Sequence, residues 1–429
     1  MTSAVDQQNT YLSSATTPGG GLPCRFCGKE LTVTFIDLGM SPLCETYPAP
    51  GDLNRMEPFY PLHAYVCECC FLVQLPAYVS AEQIFSEYAY FSSYSDTWVN
   101  HARKYCEHMI ERFQLSRSSQ VVEVASNDGY LLKHMMDRGI PVLGIEPAAN
   151  VAKVALCNGV PTLIRFFGAE LASELASEGK CADLITANNV LAQVPDLNDF
   201  VEGFRILLKP KGVVTIEFPH LLRTIERNEF DQIYHEHFSY FSLFSTSHIL
   251  EAHELKVFDV EELPTHGGSL RVYACHAEDY SKTVGSTLER VTRAEHDAGL
   301  TTVARYTSFA ERVRKIKWAL LEFLLSAKRE GKSVAGYGAP GKGTTLLHYC
   351  GIGCDLLEYT VDRNPYKQGR FMGGNHIPIY HPDKIRETKP DYVLILPWNL
   401  KDEIMEQLFY IREWGGRFVA PIPGFKIFH

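Results

Sequence analysis

A short polar run at residues 231–237 holds the side chains of this sequence best suited to move a proton. It contains Asp231, Tyr234, His235, Glu236 and His237 within seven residues. Histidine changes its protonation near neutral pH, so an imidazole here can remove a proton from a weakly acidic carbon. The run predicts acid–base catalysis with His237 as the base, Glu236 orienting a neighbour or the substrate, and Tyr234 donating to a developing oxyanion.

Two alternatives stay open for this run. His237 can be a structural histidine whose hydrogen bonds are satisfied inside the core. His235 and His237 would share one face of a strand but not of a helix, so the sequence does not rank them.

Residues 119–135 have the pattern of a strand, a small-residue turn and a helix, which begins a doubly wound α/β sheet. The turn carries one glycine beside an acid, where a dinucleotide site has three glycines. That turn would repel a pyrophosphate, but it suits S-adenosylmethionine (SAM), whose ammonium and sulfonium groups are cationic. It therefore favours SAM over NAD, although an NAD-type reductase or epimerase that uses the C-terminal glycine turn at residues 336–341 stays open.

The strands that follow supply further candidate contacts for SAM. Residues 141–146 form a second strand ending in Glu146, which can accept both ribose hydroxyls. Residues 181–190 and 213–220 continue the pattern as a third and a fourth strand. The predicted SAM-binding residues are Glu123, Ser126, Asn127, Asp128, Gly129, Glu146, Pro147, Asn188 and Asn189.

Two CxxC pairs, Cys24 with Cys27 and Cys67 with Cys70, lie near the beginning of the chain. Two such turns complete a tetrahedral Zn²⁺ site with no open position, so the metal is expected to be structural. Cys69 and Cys44 compete for the fourth position, and four buried thiols or a redox pair are the alternatives. The region between the pairs is expected to form short strands.

The C-terminal part repeats the strand–turn–helix pattern at residues 333–345. Its turn carries Lys342 and no acid, so its amides and helix N-terminus form a candidate anion site. Further strands at residues 359–370, 391–397 and 417–421 predict a small parallel sheet, and residues 294–329 predict one long connecting helix. The alternative is that the glycines only permit tight packing.

Composition bounds the class of protein and its partners. The net charge of −10 and the lack of a Lys/Arg-rich run argue against a nucleic-acid partner. The sequence contains no apolar stretch of about 18 residues, so no membrane span is predicted. Residues 1–20 are predicted to be a disordered leader, and twelve cysteines without a secretion signal predict a reducing, cytoplasmic location.

These motifs, in their order, resemble the sugar C-methyltransferases that act on nucleotide-linked 4-keto-deoxysugars. The match spans about residues 22–427 and includes both CxxC pairs. Its other segments are residues 88–95 (YAYFSSYS), 124–130 (VASNDGY), 234–237 (YHEH), 266–271 (HGGSLR) and 336–343 (GYGAPGKG).

The resemblance implies a zinc-binding module over residues 21–80, a SAM-binding methyltransferase domain over 81–285 and a Rossmann-like domain with its connector helix over 286–429. It implies that His237 is the base and that Tyr88, Tyr234 and Glu236 lie in the active site. The family's usual active-site histidine is Gln193 here, and glutamine cannot carry a proton at neutral pH. This departure keeps a non-catalytic binding protein open as an alternative. An O- or N-methyltransferase on the same scaffold is a further alternative, since it would need no base for a carbon-bound proton.

The implied substrate is a nucleotide sugar, which we expect to be dTDP-linked. Lys342, helped by Arg271, is expected to hold its diphosphate. The predicted substrate-binding residues are His266, Gly267, Arg271, Tyr337, Lys342 and Arg363. The nucleotide base, the methylated carbon, its stereochemistry and the oligomeric state are left undetermined.

Overall fold

The computed structural model describes residues 21–85, 88 and 91–429, so the predicted leader lies outside the described residues. The strands are β1 Val33–Ser41, β2 Tyr60–Val66, β3 Val73–Gln74, β4 Val121–Val124, β5 Val142–Ile145, β6 Thr162–Leu163, β7 Ala182–Asn188, β8 Leu208–Pro219, β9 Ser239–Tyr240, β10 Leu255–Leu263, β11 Ser269–His276, β12 Val334–Tyr337, β13 Thr360–Val361, β14 Ile379–Tyr380, β15 Tyr392–Ile395, β16 Arg417–Ala420 and β17 Lys426–Phe428.

The α-helices fill most of the connections between these strands. They are α1 Ala81–Phe85, α2 Asp96–Phe113, α3 Leu132–Met136, α4 Ala149–Cys157, α5 Ala169–Ser177, α6 Leu197–Leu207, α7 Leu221–Glu226, α8 Leu243–Ala252, α9 Ser286–Asp297, α10 Val303–Thr307, α11 Phe309–Arg329, α12 Gly341–Cys350, α13 Lys384–Thr388 and α14 Lys401–Gln407. Across the described part of the chain, no helix is both long enough and apolar enough to cross a bilayer.

The central sheet has the order β10-β11-β8-β7-β4-β5-β6. Strands β4 to β8 are parallel, while β10 and β11 are antiparallel additions at one edge. All four residues of β4 are buried, as expected for a parallel strand covered on both faces. The carboxyl ends of β4, β5 and β7 share one edge, which is where a doubly wound sheet binds its ligand.

The N-terminal sheet has the order β1-β2-β3-β9 and is antiparallel throughout. In β2 the apolar residues alternate, so Leu62, Ala64 and Val66 are buried. Strand β9, which follows the polar run at 231–237, closes this sheet against β3. The zinc-binding part of the chain is therefore joined directly to the segment that carries the candidate base.

The C-terminal sheet has the order β14-β13-β12-β15-β16-β17. It is parallel as predicted except at β17, which runs antiparallel to β16.

The predicted single helix over residues 294–329 is wrong, because this segment lies in α9, α10 and α11. The chain leaves α9 at Gly299, whose φ of 81° ends the helical path. In α11 the apolar positions are buried as their spacing predicted, and Phe309 stacks on Phe35 of β1 with ring centroids 4.8 Å apart. The last of the three helices is thus a packing element between the N-terminal and C-terminal sheets.

Candidate active site

A cavity of about 540 Å³ lies at the carboxyl edge of the central sheet and extends to the N-terminal end of α12. One end is lined by residues at or just after the ends of β4, β5 and β7: Ala125, Asn127, Glu146, Pro147, Asn188 and Asn189. The other end is lined by Glu45, Tyr88, Gln193, Tyr234, Glu236, His237, His266 and Lys342. Predicted cofactor-binding residues and predicted catalytic residues thus line one cavity.

The turn after β4 has a backbone that few sequences adopt. Ala125 and Asn127 have φ values of 58° and 49°, and Gly129 has a φ of 80°. A Cβ on Gly129 would lie 2.8 Å from a methyl group of Val160, so glycine is required there on both counts. The turn brings the backbone and the Asn127 side chain to the cavity edge.

Glu146 is held in place by the same turn. Its carboxylate accepts hydrogen bonds from the backbone amides of Asn127 (2.9 Å) and Ala148 (2.8 Å). Burial raises the pKa of Glu146, while these two donors oppose the rise. A carboxylate fixed in this way still has lone pairs for the two ribose hydroxyls of SAM.

The polar atoms at this end fit a ligand that carries its own donors and acceptors. The side-chain oxygens of Asn188 and Asn189, and the side-chain nitrogen of Asn189, are buried and have no hydrogen-bond partner among the residues that the structure describes. Buried amide groups are normally hydrogen-bonded, so these atoms are suited to SAM.

Four of the predicted SAM residues do not line the cavity: Glu123, Ser126, Asp128 and Gly129. Glu123 is buried within β4, and Asp128 accepts a hydrogen bond from the Ser93 amide at 3.1 Å. These residues shape or cover the turn.

His237 has one defined tautomer. Its Nδ1 lies 3.0 Å from the carbonyl oxygen of Gln232, which can only accept, so Nδ1 carries the hydrogen. Its Nε2 lies 3.0 Å from the Tyr234 hydroxyl and therefore accepts a hydrogen bond from it. Burial lowers the pKa of His237 to about 3, so the imidazole is neutral at physiological pH. The Nε2 lone pair is thus available to a substrate proton once the hydroxyl turns away.

His235 lies outside the cavity, although it is only two residues from His237. Its Nε2 is 3.1 Å from the carbonyl oxygen of Pro61, and its ring meets Tyr60 edge-on. Beyond the 3₁₀ turn Phe230–Gln232, residues 233–237 form neither helix nor strand. The two histidines therefore share neither a helix face nor a strand face. Of the two, His237 is the better candidate base because it lines the cavity.

Glu236 receives a hydrogen bond on each oxygen. The Tyr88 hydroxyl donates to one at 3.3 Å, and the Cys44 thiol donates to the other at 3.3 Å. Burial and the negative charge of Glu45 raise the pKa of Glu236 to about 7. This carboxyl can therefore gain or lose a proton near neutral pH.

Of the six predicted substrate contacts, only His266 and Lys342 line the cavity. Arg271 is only 3% exposed, and its guanidinium pairs with Glu217 at 2.7 Å and Glu261 at 2.8 Å. A buried arginine held by two carboxylates cannot also hold a diphosphate in the cavity, so its predicted role does not fit this position.

The remaining predicted contacts lie away from the cavity. Gly267 packs against Glu229 and Trp398, and the Tyr337 hydroxyl donates to Gln407 at 3.2 Å. Arg363 is exposed on the loop after β13.

The glycine turn before α12 is occupied by the protein itself. The Tyr47 hydroxyl donates to the carbonyl of Ala339 at 2.6 Å, and Lys367 lies 4.6 Å from the Tyr47 ring centre. Asp362, the acid at the end of β13, accepts from the Ala339 amide at 2.7 Å. This turn therefore binds a loop of the N-terminal part of the chain where a reductase would bind its dinucleotide.

The predicted zinc ligands converge. The four Sγ atoms of Cys24, Cys27, Cys67 and Cys70 lie within 4.8 Å of one another, as a tetrahedral Zn²⁺ ion requires. Gln74 donates to the Cys24 sulfur at 3.1 Å, the kind of outer contact that orients a ligand. Cys69 is exposed and Cys44 contacts Glu236, so neither belongs to this cluster.

The sequence reasoning did not connect Glu45, which lines the cavity, or Cys44, which contacts Glu236, with the active site. Both residues lie in the loop after β1, far along the chain from residues 231–237. The sequence offers Cys44 only as a competitor for the fourth zinc position, because no spacing rule links it to residues 231–237.

Solved structures are similar to part of this chain. An S-adenosylmethionine-dependent methyltransferase of Listeria monocytogenes is 12% identical, with a TM-score of 0.33, covering 41% of this chain and 98% of that one. The PH0226 protein of Pyrococcus horikoshii OT3 is 15% identical, with a TM-score of 0.35, covering 46% and 97%.

Family models and a characterised relative cover almost all of the chain. The models are a C-methyltransferase C-terminal domain at residues 264–423, a zinc-binding domain at 24–85 and a methyltransferase domain at 98–260. C-methyltransferase NovU of Streptomyces niveus is 35% identical over 400 residues, which are 93% of this chain and 95% of that protein. The chain therefore belongs to the C-methyltransferase family and is a SAM-dependent, zinc-binding methyltransferase.

Proposed function

We propose that this enzyme methylates the carbon next to the keto group of a nucleotide-linked 4-keto-deoxysugar, dTDP-linked in our expectation. The observation that carries the proposal is the neutral His237 imidazole, whose Nε2 faces the same cavity as the SAM-binding residues. A ketone makes the neighbouring C–H acidic enough for histidine to remove its proton, whereas a hydroxyl or amine acceptor needs no carbon base.

His237 and Tyr234 act together in this scheme. As Nε2 takes the carbon-bound proton, the hydrogen of the Tyr234 hydroxyl rotates from Nε2 to the ketone oxygen, where the enolate charge develops. The new Nε2–H then has the phenol oxygen as an acceptor. The negative charge of the enolate stabilises the imidazolium, which offsets the burial that lowers the pKa of His237.

The other cavity residues position the reactants. Asn127, Glu146, Asn188 and Asn189 would hold SAM, whose sulfonium would supply the methyl group and leave as S-adenosylhomocysteine. Lys342 is the proposed cation for the diphosphate, although burial lowers its pKa and Asp231 and Glu229 oppose that shift. His266 lines the cavity at the same end as Lys342.

Gln193 occupies the 3₁₀ turn Leu191–Gln193 on the cavity wall. Its amide can donate to the substrate oxygen or accept from a sugar hydroxyl, but it cannot exchange a proton. With His237, Glu236 and Tyr88 all present in the cavity, we propose that Gln193 changes substrate fit and leaves the base intact.

The test is mass spectrometry of the enzyme with SAM and a panel of nucleotide-linked 4-keto-deoxysugars in deuterated water. The matched controls are the same sugars with the ketone reduced to a hydroxyl. We expect a methyl group on carbon, deuterium uptake at that carbon when S-adenosylhomocysteine replaces SAM, and no product from the controls. Methylation of the reduced sugars, or methylation of any acceptor at oxygen or nitrogen alone, would refute the proposal.

A further inference from the structure

The loop at residues 42–48 connects the zinc-binding part of the chain to the active site and is fixed at both its ends. On one side it continues from β1; on the other it is bound by the C-terminal domain. The anchoring contacts are Tyr47 Oη to Ala339 O at 2.6 Å, Thr344 Oγ1 to Cys44 O at 3.2 Å, Gly373 N to Thr46 O at 3.1 Å, Phe371 N to Pro48 O at 3.1 Å and Arg370 to Tyr47 O at 3.1 Å. The loop is therefore fixed in place, and its Glu45 lines the cavity.

This loop places the Cys44 thiol against Glu236. Cys44 is 2% exposed, and its Sγ lies 3.3 Å from Glu236 Oε1. A Cβ built on Gly341 would lie 3.1 Å from the same sulfur, so the backbone at the start of α12 confines the thiol from the far side. The Tyr88 hydroxyl donates to the other oxygen of Glu236, so each carboxyl oxygen accepts one hydrogen bond and the orientation of the carboxyl group is fixed.

The groups around Glu236 affect whether its carboxyl group is ionised, and the Cys44 and Tyr88 donors are two of them. It faces Glu45 and Lys367 as charged groups, and Cys44, Tyr88 and Tyr234 as weak acids. Burial and Glu45 disfavour its carboxylate form, while the Cys44 and Tyr88 hydrogen bonds favour it. We propose that Cys44, delivered by the zinc-binding part of the chain, is a positioning residue that holds Glu236 in its reactive orientation; this rests on the proposed role of Glu236 in the reaction.

Three variants test the proposal. Cys44→Ala should lower kcat by about three- to ten-fold, the effect of one lost hydrogen bond. It should also move the Glu236-dependent limb of the kcat pH profile to higher pH, because the carboxylate loses a donor. Cys44→Ser keeps a donor and should restore most of kcat. Cys275→Ala removes an equally buried thiol on β11, outside the cavity, and should leave the profile unchanged.

The S–H stretching band in the infrared gives a second readout that needs no turnover. The difference between wild type and Cys44→Ala isolates the band of this thiol, and Glu236→Gln should shift it. Failure of the wild type to methylate any keto-sugar would refute the proposed function, while the band still tests the contact. A Cys44 band unmoved in Glu236→Gln, a wild-type pH profile in Cys44→Ala, or no rescue by serine would overturn the inference.

Discussion

Replacing His237 with alanine is the most direct test of the proposed chemistry, because a matched control lies two residues away. His237 offers Nε2 to the cavity and is tied to the Gln232 carbonyl through Nδ1. His235 is buried more deeply than His237, and its Nε2 is tied to the Pro61 carbonyl outside the cavity. The two substitutions remove the same ring from the same short segment, but only His237→Ala removes it from the cavity wall.

The expected losses differ in kind. Without His237 no other imidazole holds this position, and removing a general base typically costs about 10²- to 10⁴-fold in rate. At about 1.36 kcal/mol per tenfold, this is roughly 3–5 kcal/mol of transition-state stabilisation. His235→Ala instead leaves the Pro61 carbonyl without its buried partner, which costs about 1–3 kcal/mol of folding free energy. It should lower the melting temperature and spare the rate.

The assay is hydrogen exchange at the sugar carbon in deuterated water with S-adenosylhomocysteine bound, so that proton removal is measured without methyl transfer. His237→Ala should lose exchange and methylation by similar factors while keeping the affinity for S-adenosylhomocysteine. Exchange at the wild-type rate in His237→Ala, or an equal loss of exchange in folded His235→Ala, would show that another group is the base.

Three further predictions address the carboxyl, the metal and the glutamine. Glu236→Gln should abolish the pH dependence of kcat near pH 7. Burial raises the pKa of Glu236 in the folded state to about 7 from its ordinary 4.5, so folding favours the protonated form. The melting temperature of the wild type should therefore fall relative to that of the variant as the pH rises from about 4.5 to 7. Cys67→Ser should lose bound zinc and lower the melting temperature, measured by metal analysis and calorimetry, while exposed Cys69→Ser should do neither. Gln193→His should change the KM for 4-keto-deoxysugars and leave proton exchange at the sugar carbon intact, and a change in the exchange rate would instead show that this position supports the base.

The sequence predicted those parts of the site in which a local pattern carries the chemistry. The CxxC spacing brought four sulfurs together, and the strand–turn–helix pattern placed Asn127 and Glu146 at the cavity. Both depend on residues close along the chain, or on the rule that parallel strands end at one edge of a sheet. His237 and Glu236, which were predicted from the same short polar run, both line the cavity.

The errors share a different physical origin. Arg271 looked like a free cation because its partners, Glu217 and Glu261, are brought to it by strands β8 and β10 of the folded sheet. The break of the long helix followed from Gly299 and the burial of Leu300, where packing overrides the apolar spacing. Whether a charge is free or paired is decided by contacts between distant residues, and no spacing rule describes those.

The loop at residues 42–48 explains why a zinc module and a third sheet accompany the methyltransferase domain. Glu236 comes from the central segment, but Cys44 and Glu45 come from the zinc-binding part, and that loop is bound by the C-terminal glycine turn. A turn that elsewhere binds a nucleotide here binds Tyr47. If the metal fixes β1 and the turn fixes Tyr47, loss of zinc should disturb the S–H band of Cys44 while the SAM end of the cavity, built on β4, β5 and β7, keeps its affinity. Equal loss of SAM binding on zinc removal would contradict this division of the site.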